Sequence, residues 1–248
     1  MCYSPDANPP IPPVEGGLSG HDDLELSASD GTRFAGFWAR SAEPKGPGVV
    51  VLPDIRGLHQ FYVELAMRFA EHGYDAIAID YFGRTAGVGR RDETFEWKEH
   101  VPKVEVAHTT ADTAAAIKLL RAESPDRPVF VLGFCFGGSN AWHMAAQDLG
   151  LAGAVGFYGN PQRPPVGPIE VVDRIDCPIL ALMGGDDPGI PLDVVDAFRE
   201  ALERAGVDHE VVVYDGAPHS FFDRQQEKYA EESADAWRRV MEFFERNA

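Results

Sequence analysis

Six stretches rich in Val, Ile, Leu and Ala recur at residues 48–52, 74–79, 129–132, 152–157, 178–183 and 209–214. Helix-compatible segments separate them at 61–72, 104–122, 139–147, 191–205 and 227–246. Near-continuous apolar runs predict strands buried on both faces, the habit of parallel sheets covered by helices. Ahead of them, residues 23–29 and 32–40 alternate polar and apolar positions around Ser29-Asp30-Gly31, which predicts an antiparallel hairpin. The expected fold is α/β: a mostly parallel, doubly wound sheet entered through an N-terminal antiparallel hairpin, with the active site at the strands' carboxyl ends. Residues 1–20 are rich in Pro and Gly, lack both periodicities and read as an extended arm. Residues 21–248 show no repeat or linker and read as one domain.

Composition narrows the class. The chain has 248 residues, 44% of them hydrophobic, enough for one large core. No run approaches the ~20 apolar residues of a membrane span, and no basic-then-apolar leader opens the chain, so a cytoplasmic location is expected. A net charge of −18 argues against nucleic acid and anionic membranes and would repel an anionic substrate at long range. Any such substrate must be met by local arginines. Cys2, Cys135 and Cys177 are odd in number and scattered, which suggests neither a disulfide framework nor a metal site. The partner is a small molecule, and the chain is expected to be a monomer or homodimer.

Candidate chemistry lies in three loops that follow predicted strands. Gly133-Phe134-Cys135-Phe136-Gly137, between 129–132 and 139–147, has the form of a nucleophile elbow with cysteine at its centre. The glycines allow a turn sharp enough to lift the reactive atom above the sheet at a helix N-terminus, where thiolate is favoured over thiol. The alternative is a buried structural cysteine in a tight turn. A nucleophile of this kind needs a general base, and the base needs an orienting acid. Gly184-Gly185-Asp186-Asp187-Pro188 follows 178–183, and Asp215-Gly216-Ala217-Pro218-His219 follows 209–214. Their order of nucleophile, acid, histidine is that of α/β-hydrolases, with Asp186 and Asp187 not separable from the residues alone. The loop Leu52-Pro53-Asp54-Ile55-Arg56-Gly57-Leu58-His59 follows the first parallel strand, where one oxyanion donor belongs. The Ile55 and Phe136 N–H groups are the candidates.

Gly133-Phe134-Cys135-Phe136-Gly137-Gly138, Met183-Gly184-Gly185 with Asp187, and Gly216-Ala217-Pro218-His219-Ser220-Phe221 resemble the dienelactone hydrolase family, from Gly20 to the C-terminus. The resemblance implies a single-domain α/β-hydrolase without cofactor, with Cys135 as nucleophile, His219 as base and Asp187 as orienting acid. It also exposes departures. Asp54 stands where chlorocatechol-pathway members carry a glutamate that holds the resting thiol. Their substrate-carboxylate clamp is an arginine with a tyrosine four residues later and a second arginine four after the histidine. Here Arg91 is followed by Phe95, and Asp223 occupies the other position, with Arg224 one step on. The resemblance therefore implies hydrolysis of a small ester or lactone, with or without a carboxylate, through a Cys135 thioester. Phe82, Phe95, Trp97, Tyr158, Phe221 and Phe222 are candidates for a small apolar pocket or for core. The alternatives are a carboxylesterase or thioesterase with a relaxed pocket, and a non-catalytic ligand-binding or thiol-sensing protein. No resolving cysteine lies near Cys135 in sequence.

Overall fold

A computed structural model describes residues 8–248. Eight strands form one sheet: β1 (Leu18–Ser27), β2 (Arg33–Ser41), β3 (Gly48–Leu52), β4 (Asp75–Ile79), β5 (Val129–Phe134), β6 (Gly153–Phe157), β7 (Ile179–Gly184) and β8 (His209–Tyr214), in the order β1-β2-β4-β3-β5-β6-β7-β8. The first two pair antiparallel, with Leu26 opposite Phe34, and β2 joins β4 antiparallel. From β4 to β8 every pairing is parallel. The sequence pattern accounts for this division. β3, β5, β6 and β7 are buried at every position, so apolar side chains are required on both faces. β1 alternates half-buried and exposed residues, because one of its faces meets solvent.

Among the described residues six α-helices cover the two faces: α1 (Gln60–Glu71), the single turn α2 (Gly83–Ala86), α3 (Val106–Leu120), α4 (Phe136–Met144), α5 (Leu192–Ala205) and α6 (Ala230–Asn247). Phe61, Leu65 and Phe69 of α1 share one core layer with Val240, Phe243 and Phe244 of α6. Ile117 of α3, Trp142 of α4 and Phe198 of α5 fill the layer on the other face. Covering both faces lets the central strands exclude water along their whole length, the main source of stability in such a sheet.

Most observed boundaries fall within two residues of those the sequence predicts, and three larger differences stand out. β1 opens at Leu18, inside the expected arm, because residues 18–27 find a partner strand in β2. The described arm touches the body at a few points: Ile11 is 7% exposed, and Val14 N–H donates to the Glu71 carboxylate at 3.1 Å. Residues 1–7, with Cys2, lie outside the described residues. Helix α4 begins at Phe136 rather than Ser139, and α6 at Ala230 rather than residue 227. The α4 difference matters, since it makes Cys135 the N-cap of that helix.

The topology also locates the site. β3 lies between β4 and β5, so the connections leaving β3 toward β4 and those entering β5 part on opposite sides. A doubly wound sheet opens a crevice at such a switch, at the strands' carboxyl ends. The β3 loop and the elbow after β5 face each other across it.

Candidate active site

Cys135 has φ 54° and ψ −112°, a conformation that L-residues avoid. Both neighbouring glycines are needed for it. A Cβ on Gly133 would stand 2.0 Å from the Gly137 carbonyl oxygen, and one on Gly137 would stand 2.1 Å from that of Leu52. The turn is closed by Cys135 N–H donating to Phe157 O at 2.9 Å, and Ser139 N–H reaches back to Cys135 O at 3.2 Å. The thiol thus sits at the head of α4, where unpaired amides favour an anion.

His219 comes to the thiol from the loop after β8, and its side chain hydrogen-bonds to Cys135. Its Nδ1 lies 2.6 Å from Asp187 Oδ2. Asp187 is 6% exposed, and its other oxygen accepts Gly189 N–H at 2.9 Å. Asp186 is exposed. Burial, which the sequence alone did not disclose, therefore selects Asp187 as the carboxylate that meets the imidazole. Burial by itself would lower the His219 pKa. The hydrogen bonds to Asp187 and Cys135 outweigh it and raise the imidazole to about 10. That balance favours a protonated imidazole beside the Asp187 carboxylate.

Cys135 and His219 open into a cavity of about 1000 Å³ that Ile55 and Phe136 also line. The residues of both candidate oxyanion donors are thus gathered at the thiol. Asp54 is fully buried beside them: Oδ1 accepts Arg56 N–H at 2.8 Å, and Asp54 N–H donates to the Tyr62 hydroxyl at 3.0 Å. Arg56 and His59 are buried too, with Arg56 Nη2 3.4 Å from His59 Nε2. Asp223 is 1% exposed, and burial and then Asp54 drive its carboxyl well above the usual range.

The expected carboxylate clamp is not assembled. Arg91 holds Asp80 with Nη2 at 2.8 Å and also donates to Gly87 O at 2.6 Å. Asp80 is fully buried just past β4, and a buried carboxylate there requires a counterion. Phe95 packs beside Arg91, with 4.9 Å from ring centroid to guanidinium carbon, and stacks on His100. Neither residue lines the cavity, and Arg224 is exposed and also outside its lining. Of the six candidate aromatics only Tyr158 borders the cavity, its ring 4.9 Å from that of His219. Phe82, Phe221 and Phe222 are core.

Sequence reasoning passed over the loop after β6, which supplies Asn160, Arg163 and Val166 to the cavity, and Arg174 beyond it. Its position after a parallel strand was the available signal. His143 ties that loop to α4 through Nε2 and Val166 O at 2.9 Å; burial lowers its pKa to about 4, so a neutral imidazole makes this bond. Val101, Val104 and Val106 furnish an apolar wall. Cys177 precedes β7 at the opposite, amino edge of the sheet, and burial pushes its thiol up to about 12. A six-residue strand is ~20 Å long, so Cys177 is out of reach of Cys135. Among the described residues no cluster of three or more His, Cys, Asp or Glu is arranged to hold a metal ion, and no helix is long and apolar enough to cross a membrane.

An eight-stranded, mostly parallel sheet with a strained elbow after β5 defines an α/β-hydrolase. The chain belongs to the dienelactone hydrolase family, whose model matches residues 34–248. It is accordingly a hydrolase acting on ester bonds. A carboxymethylenebutenolidase from Rhodococcus opacus is 30% identical over 99% of this chain and 97% of its own length. A crystal structure from Klebsiella pneumoniae subsp. pneumoniae, provisionally assigned as a dienelactone hydrolase, superposes with a TM-score of 0.79 at 30% identity, covering 91% of this chain and 99% of that one. A dienelactone hydrolase-like promiscuous phosphotriesterase from metagenomic libraries reaches 0.75 at 26% identity, with coverages of 92% and 99%.

Proposed function

We propose that the chain hydrolyses an ester or lactone of dienelactone type through a Cys135-His219-Asp187 triad and a thioester intermediate. The observation that carries this reading is the convergence of a strained cysteine at a helix head with a carboxylate-held histidine in one cavity. The Cys135 thiolate attacks the carbonyl carbon, the C–S bond forms and the carbonyl electron pair moves to oxygen. The Ile55 and Phe136 N–H groups hold that oxyanion, each donor contributing about 3–4 kcal/mol. Collapse breaks the C–O bond, and the leaving oxygen takes its proton from His219. Water, deprotonated by His219, then attacks the thioester, releasing the acid and restoring the thiolate. A thiolate leaves more readily than an alkoxide, so activated or enol esters suit this nucleophile. Asp54 is assigned the part of the acid beside the thiol, supported by its burial and by the influence it shares with Cys135 on the Asp223 carboxyl.

A second reading, a carboxylesterase or thioesterase of broader range, is favoured by the cavity's volume and by the commitment of Arg91 to Asp80. The two separate on substrates. Wild type and Cys135→Ala are assayed with cis- and trans-dienelactone and with p-nitrophenyl acetate, under reducing conditions. Dienelactone turnover lost in the variant supports the first reading, and acetate turnover alone supports the second. A sensing thiol would respond after His219→Ala, whereas a hydrolase loses turnover. Absence of Cys135-dependent turnover of every ester refutes both hydrolytic readings.

A further inference from the structure

Forty acidic side chains outnumber 22 basic ones, and arginines fixed within the fold mostly hold a carboxylate. Arg84 holds Asp112, Arg91 holds Asp80 and Arg127 holds Asp75. Arg163 is an exception. Its side chain is half-buried and lines the cavity, yet among the described residues no carboxylate oxygen lies within 4.0 Å of it. The guanidinium is nevertheless held firmly. Nη2 donates to Asn140 Oδ1 at 2.6 Å, and Asn140 is 1% exposed on α4. Its carbon stands 4.3 Å above the ring of Phe136, the residue that follows the nucleophile. Nε is buried without an acceptor. Burial disfavours the Arg163 charge, and the groups whose anionic forms would support it are Tyr81 and Cys135. A desolvated cation with unspent donors, rigidly mounted next to the thiol, is a ready receptor for a carboxylate.

We propose that Arg163 anchors a carboxylate on the acyl part of the substrate, an assignment that rests on reading the cavity as the ester-hydrolysing site. Its seat against Phe136 puts that carboxylate a few bonds from the scissile carbonyl. The apolar wall of Val101, Val104 and Val106 receives the rest of the molecule. Substrates are then esters of short dicarboxylic acids, recognised by one guanidinium in spite of the net charge of −18.

The test compares p-nitrophenyl hemiadipate with the neutral p-nitrophenyl hexanoate, after subtraction of spontaneous hydrolysis. Wild type is expected to favour the anionic ester in kcat/KM by about 10- to 100-fold, the worth of one charge-assisted hydrogen-bonded pair, mostly through KM. Arg163→Met should bring that ratio close to one, and Arg163→Lys to an intermediate value. Arg224→Ala, an exposed position outside the cavity lining, should leave the ratio as in wild type. No anionic preference in wild type, a ratio in Arg163→Met within twofold of wild type, or an equal loss in Arg224→Ala overturns the proposal. Should Arg163→Met fail to fold, wild type still decides: adipate must inhibit hexanoate hydrolysis competitively and far better than adipamide. If neither ester shows Cys135-dependent turnover, the hydrolytic reading has failed on its own. Calorimetric binding of adipate to wild type and Arg163→Lys then judges the anchor separately, and equal affinities refute it.

Discussion

Replacing Gly137 by alanine probes the link between the fold and the proposed oxyanion site. Its Cβ would stand 2.1 Å from Leu52 O and 2.3 Å from Pro53 O, both backbone atoms at the end of β3. Real Cβ atoms essentially never approach closer than 3.0 Å, so the first turn of α4 and the β3 loop must separate by about 0.9 Å. No side chain can rotate away to relieve the contact. The two segments that part are those carrying the Phe136 and Ile55 N–H groups. Misplacement by about 1 Å costs on the order of 100-fold in rate, and overpacking typically costs about 1–3 kcal/mol in stability. For a chain of this length that corresponds to a fall in Tm of about 2–12 °C. The assay is kcat/KM for p-nitrophenyl acetate together with thermal unfolding. Gly20→Ala serves as control, because nothing lies within 4 Å of its added Cβ. A folded Gly137→Ala with wild-type kcat/KM would refute the claim that this contact sets the oxyanion geometry.

Three further outcomes are expected. Cys135→Gly should melt about 2–4 °C above Cys135→Ala: release of about 1–3 kcal/mol of strain at φ 54° exceeds the glycine's entropic cost of about 0.5–1 kcal/mol; the reverse order in thermal unfolding would show the turn to be unstrained. Because the His219 imidazole is raised to about 10, its proton is retained through neutral pH and lost as pH rises through that value, so the alkaline limb of kcat/KM should lie near 10. Asp187→Asn should move that limb down, and an unmoved limb would sever Asp187 from the histidine. Asp223 has a folded pKa raised well above its unfolded value, so its contribution to stability is present at low pH and diminishes as pH rises toward the folded value. Asp223→Asn should therefore gain stability over wild type more at pH 8 than at pH 5, and denaturant midpoints showing an equal difference at both would contradict this.

Most strand positions were legible because sheet burial writes itself into local composition. The run Val49-Val50-Val51 has no other use than a strand covered on both faces. The elbow was legible for a related reason: Gly133 and Gly137 flank one tight turn and answer its steric demands, although the Leu52 and Pro53 carbonyls that also crowd Gly137 come from the end of β3, far away in sequence. Helix starts were less legible. Phe136 and the glycines after it have poor helix propensity, and α4 begins there because the elbow turns the chain directly into it, with tertiary packing sustaining the helix.

Chain order and residue type by themselves determined the sheet class, the cysteine as candidate nucleophile and the histidine placed to serve it. Tertiary structure alone decided which aspartate meets that histidine, since Asp186 and Asp187 are chemically identical and differ only in burial. It alone showed that Arg91 is spent on Asp80, and that Arg163 faces the cavity without a carboxylate beside it. The physical reason is common to all three. Whether a charge is neutralised, buried or left for a ligand depends on groups brought beside it by the fold rather than by the chain, and neither spacing nor periodicity carries that information.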